Sequence, residues 1–135
     1  MIKFKQGYWR THSRNGPETP SSQFIYDIWD PYYELPFFHS GFTYLQILQQ
    51  TQNAEWIILG QQYVSAFLNS ILNDGFGNEI VSNAFQEATS FYSTFTPTQT
   101  LSQATIQTLQ QCETILSNYN SGLYGHGRCS DDTDN

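Results

Sequence analysis

The sequence predicts an all-α fold: a small bundle of about four helices with an irregular, aromatic-rich N-terminal segment lying over it. Three observations carry this. From residue 43 onward apolar residues recur at steps of three and four, the period of a helix with one buried face. No run of useful length alternates with period two, so no strand is expected. The first 41 residues are broken by Gly16-Pro17, Thr19-Pro20, Asp30-Pro31 and Leu35-Pro36, yet carry the clusters "FIYDIW", "PYY" and "PFF". A segment that long without regular structure needs side-chain anchors, and the rings supply them.

The chain of 135 residues fits a single domain in three parts: a wrap over 1–41, a helical body over 42–120, and a Gly-rich, acidic tail over 121–135. In the body, "FTYLQILQQ" is a short helix with Tyr44, Leu45 and Leu48 on one side. Asn53 is the expected N-cap of a longer helix. Its stripe runs through Trp56, Ile57, Tyr63, Val64, Phe67, Leu68, Ile71 and Leu72, and Gly75 is its expected left-handed stop. Gly60 lies mid-helix, where glycine costs about 1 kcal/mol relative to alanine, so a close backbone approach is expected there. A third helix starts at Asn78, with Glu79 favourable in its first turn, and ends before Pro97. A fourth is expected from a Thr100/Gln103 capping box, with Leu101, Ile106, Leu109, Cys112, Leu116 and Tyr119 inward. Asn120-Ser121-Gly122 closes it.

Composition narrows function. Twenty-two residues are aromatic, ten Phe, nine Tyr and three Trp, whereas only 13% are charged. Gln, Asn, Ser and Thr supply the polarity, which suits a protein that packs against copies of itself, carries sugars or works outside the cell. The net charge of −7 and five basic residues exclude the usual nucleic-acid footprint. Lys3, Lys5, Arg10 and Arg14 crowd the first fourteen positions while the end, "CSDDTDN", is acidic, an asymmetry able to steer end-to-end association. The longest apolar run, "WIIL", is far too short to insert in a membrane, and "MIKFK" reads as no secretory leader.

The two cysteines, Cys112 and Cys129, have no zinc or redox spacing. In an oxidising compartment they are expected to bridge, worth roughly 3 kcal/mol by loop entropy. In a reducing one they are a helix-face residue and a free tail thiol.

Four stretches in order, "QGYWRTHSRNGP", "LPFFHSGFTYLQIL", "NAEWIILGQQYVSAFLNSILNDG" and "LSNYNSGLYGHGRC", give the chain a resemblance. Over about residues 6 to 130 it resembles a widespread, poorly characterised group of secreted proteins marked by a Gly-Tyr-Trp-Lys/Arg-Asn/Thr-His motif, found in bacterial surface proteins, algae and large viruses. The chain departs from that group at Gln61, where a His is common, and in "FKQ", where many members carry a Cys. The resemblance implies a helical extracellular or particle-surface module without an established activity. It also implies Cys112 as the internal partner of Cys129.

Candidate chemistry is sparse. His12, His39 and His126 are the only imidazoles, and no metal site or cofactor is expected. Asp27, Asp30 and Glu34 offer carboxylates without a cleft signal, and no nucleophile motif occurs. The chain is therefore read as no enzyme. Tyr8, Trp9, Trp29, Tyr32 and Tyr33 have the apolar faces and polar edges that stack on sugars. The favoured role for Gly7, Tyr8, Trp9, Arg10 and His12 is architectural: a tight backbone at Gly7, rings filling the core's edge, and Arg10 and His12 tying the segment down. The expected function is a self-associating structural subunit of an extracellular or surface assembly, such as a filament. A glycan-binding module and a virion component are the alternatives.

Overall fold

The computed structural model describes residues 3–14, 16–19 and 23–124. Six helices follow in order: α1 Gln6–Thr11, α2 Gln23–Trp29, α3 Tyr44–Gln49, α4 Glu55–Leu72, α5 Glu79–Thr94 and α6 Gln103–Asn120. The all-α expectation holds, with no strand among the described residues and only isolated bridge residues such as Pro36 and Thr43. The count of about four helices does not. The N-terminal segment contains α1 and α2, six and seven residues long. Helices this short are marginal in water, so their presence rests on packing rather than on local signal.

Capping explains most boundaries. Thr43 accepts from the Gln46 backbone N–H at 3.1 Å while the Gln46 side chain accepts from the Thr43 N–H at 2.9 Å, a complete capping box for α3. The Asn78 side chain accepts from the N–H groups of Ile80 and Val81 at the start of α5, as the sequence predicts. Two caps fall elsewhere. The N-cap of α4 is Ala54, without a side-chain bond, not Asn53. That of α6 is Ser102, which accepts from the Thr105 N–H, not Thr100. At the end of α4 the left-handed position is taken by Asp74 (φ 57°), with Gly75 following at φ 120°.

α4 is the hub: it packs against all five other helices, most extensively against α6. Its buried face includes Ile57, Leu59, Tyr63, Val64 and Leu68. At Gly60 it is side chains, not another backbone, that close on α4. A Cβ built there lies 3.2 Å from Ile47 Cγ2 and 3.3 Å from the Tyr92 hydroxyl. The loop before α3 drives the fully buried Phe37 into this region, edge-on to Tyr92 at 4.8 Å and Tyr63 at 5.6 Å. Edge-to-face pairs of this kind add stability beyond the area they bury.

Candidate functional site

The motif "GYWRTH" is helical in the structure. Gly7 lies inside α1 and is buried, so the expected tight backbone at Gly7 is instead one position of a helical turn. Four-residue spacing aligns Phe4, Tyr8 and His12 in a column, with ring centroids 3.7 Å apart at each step and interplanar angles of 9° and 12°. His12 Nδ1 lies 2.8 Å from the Tyr8 carbonyl, which fixes the proton on Nδ1, and 2.9 Å from Thr11 Oγ1. His12 thus ties α1 to itself.

Trp9 and Trp29 are wholly buried and meet edge-on, with centroids 6.5 Å apart. Each indole N–H has a partner: Trp29 Nε1 donates to the Trp9 carbonyl at 2.8 Å, and Trp9 Nε1 donates to Asn69 Oδ1 at 3.3 Å. Buried indoles without such bonds would carry a desolvation cost of about 1–3 kcal/mol apiece. The sugar-stacking set therefore does not form a platform. Tyr8, Trp9 and Trp29 are at 0% exposure, and only Tyr32 and Tyr33 reach the surface. Even Tyr32 spends an edge on Phe67, 4.8 Å away.

Sequence reasoning missed the centre of the arrangement, Asn69. Fully buried on α4, it grips the extended backbone of Phe4 from both sides. Its Oδ1 accepts from the Phe4 N–H at 2.9 Å and its Nδ2 donates to the Phe4 carbonyl at 2.8 Å. The second amide hydrogen goes to Asn120 Oδ1 at 2.9 Å, and Asn120 Nδ2 continues to the Gln62 carbonyl and Oε1. Both donors and both lone pairs of the Asn69 amide are used. A signal was present: Gln61, Ser65 and Asn69 set a polar line at four-residue steps along the apolar stripe. Gln61 donates through Nε2 to the carbonyls of Gln50 at 2.8 Å and Ile47 at 3.3 Å, closing the C-terminal end of α3.

The expected tie by Arg10 is made by Arg14, whose Nε sits 2.9 Å and 3.0 Å from the two Asp30 carboxylate oxygens and whose guanidinium covers the Tyr26 ring at 4.5 Å. Both partners are well exposed, so solvent screens the pair and it contributes little to stability. No tie of Arg10 to ring or carboxylate is seen among the described residues.

Reactive chemistry is thin. Cys112 is buried and donates to Glu87 Oε1 at 3.2 Å. Burial, and then Glu87, push its thiol up to about 12, so it stays protonated and is no nucleophile. Its expected bridge partner, Cys129, and His126 lie outside the described residues. No group of three or more His, Cys, Asp and Glu is placed to hold a metal among the described residues. A surface hollow of about 210 Å³ adjoins the amide network and is lined by Lys5, Gln6, Gln62, Ser117, Asn120 and Ser121. It offers hydrogen bonds and one ammonium group, but no acid–base pair.

Fold and site define a helical bundle whose N-terminal aromatic plug is locked by a buried asparagine. Comparison with protein-family models, curated proteins and solved structures finds no match. No helix among the described residues is long and apolar enough to cross a membrane.

Proposed function

We propose that this chain is a non-catalytic structural subunit of an extracellular or particle-surface assembly, a building block that associates with its own copies, for instance along a filament. One observation carries the reading: the residues richest in chemical potential, Tyr8, Trp9, Trp29 and His12, are spent on sealing and tying the bundle. What remains outside is a surface dominated by amides and hydroxyls. The resemblance to secreted surface modules agrees with that composition. In such a setting the hydroxyl-rich stretch 94–102 is a site for O-linked glycans.

Glycan recognition by the N-terminal rings is the weaker reading, because three of the five rings have no free face. The test is electron microscopy of the purified protein at high concentration, paired with light scattering across a dilution series. Regular oligomers or polymers are the expected result. Uniform monomers at every concentration would overturn the proposal.

A further inference from the structure

From the outer flank of α5 and α6 we infer the surface through which one copy of this chain meets a second copy. The inference rests on the self-association proposed above and gives that association an address.

The exposed residues of α6 are Gln103, Ala104, Gln107, Gln110, Gln111 and Thr114, so its solvent-facing stripe bears no charge, and its one carboxylate, Glu113, is half-buried. Exposed helix faces ordinarily carry charged residues, and depletion of charge is the compositional mark of an interface core. In this chain the point is sharper. Each copy carries a net charge of −7 and opposed carboxylates repel, so copies approach most readily where carboxylates are sparse. The N-terminal side is the more charged, for it displays Glu18, Asp27 and Glu34 beside the Arg14–Asp30 pair. Beside the α6 stripe, Glu87 receives the Cys112 thiol and Glu55 accepts from Gln110 Nε2 at 3.1 Å, while Glu79 stands exposed at the start of α5.

Shape agrees with charge. A shallow depression of about 550 Å³ lies over Gln107, Gln110, Gln111, Thr114 and Ile115. Two further hollows, about 220 and 270 Å³, follow the seam between α5 and α6 on either side of the Glu87–Cys112 contact. Ile80, 56% exposed, borders one of them beside Ile115. These hollows are sockets for long amide side chains from a facing helix.

Area suffices too. Helices of 18 and 16 residues set side by side present a flank of about 27 by 20 Å. Two such flanks cover about 1,100 Å², past the roughly 1,000 Å² that a specific interface needs. A twofold, self-complementary pairing uses the same patch twice and explains why the stripe needs neither sign of charge.

The experiment is sedimentation velocity over a concentration series on the full chain, with three variants. Gln107→Glu/Gln111→Glu places four extra carboxylates in the contact. It is expected to weaken association at least tenfold while circular dichroism and the melting temperature stay unchanged. Gln107→Lys/Gln111→Lys, mixed with the Glu variant, is expected to restore association as a mixed pair. Gln52→Glu, an exposed change before α4, is expected to leave association as in the parent. If the parent is monomeric throughout, the self-association reading falls. If the parent associates and the Glu variant associates equally well, that reading stands and the assignment of this face is overturned.

Discussion

The same side-chain amide does opposite work in two regions. Inside, Asn69 and Asn120 are fully engaged, every donor and acceptor of the Asn69 amide being matched to a fixed partner. Outside, Gln107 and Gln111 on α6 have no hydrogen-bond partner among the described residues and stand free in water. Burial makes the difference. In a low-dielectric interior an amide is a specific lock because each unmade bond is costly. In water it is nearly silent, neutral in charge and open to exchange for a partner's amide. The lesson is that amide-rich composition specifies one thing in the core and leaves another available at the surface.

The comparison breaks most easily at the lock. Asn69→Leu strands the Phe4 N–H and carbonyl, the Trp9 indole N–H and Asn120 Oδ1 in the interior. With about 1–3 kcal/mol per stranded group, part of it recovered by relaxation, the expected loss is about 4 kcal/mol. Gln107→Ala, by contrast, is expected to change stability by less than about 0.5 kcal/mol. Urea titrations with both variants at matched slopes decide the matter, and equal losses would erase the distinction between the two regions.

How far this architecture is legible in the sequence depends on range. Helices α4 to α6 show themselves through period, because sixteen to eighteen residues of regular stripe outweigh noise, and the six-residue α3 through Tyr44, Leu45 and Leu48 in a stretch without proline. Asn78 and the α6 stop at Gly122 (φ 88°) are chemical signals that act within four residues. The helices α1 and α2 escape notice because fewer than two turns cannot display a period, and neighbouring prolines argue for loop. The caps shift by one or two residues because Asn53 and Thr100 sit beside Ala54 and Ser102 near an equally acceptable start. The burial of Trp9 follows from the need to close the bundle. The clamp is another matter: a polar line through Gln61, Ser65 and Asn69 is visible, but its grip on Phe4, 65 positions away, is a tertiary fact.

A single methyl group probes how closely the locked region is fitted. Gly60→Ala gains about 1 kcal/mol of helix propensity. Its Cβ, however, meets Ile47 Cγ2 and the Tyr92 hydroxyl at 3.2 and 3.3 Å. Neither neighbour has room, since Ile47 is fully buried and the Tyr92 hydroxyl is committed to the Trp56 carbonyl. Overpacking of this sort costs about 1–3 kcal/mol, so a net loss of about 1 kcal/mol is expected in thermal or urea unfolding. A gain in stability would show that the contact between α3, α4 and α5 is looser than the distances indicate.

The smallest effect concerns the border between the two regions. Partial burial, and then the charge of Glu55, hold the Glu113 carboxyl above its ordinary value of 4.5. The folded protein therefore binds this proton more tightly than the unfolded chain does. The associated stability is present in full below about pH 4.5 and is lost as pH rises through the folded-state value, leaving an ionised, poorly solvated carboxylate at neutrality. Glu113→Gln removes that burden, so the variant is expected to melt slightly higher than the parent at pH 7. The gap should close in acid, where the parent's carboxyl is already protonated. Because both proteins share every other titrating group, the difference between their melting temperatures, followed from pH 7 down to pH 4, isolates this one. A gap of constant size would place the effect in packing, not in charge.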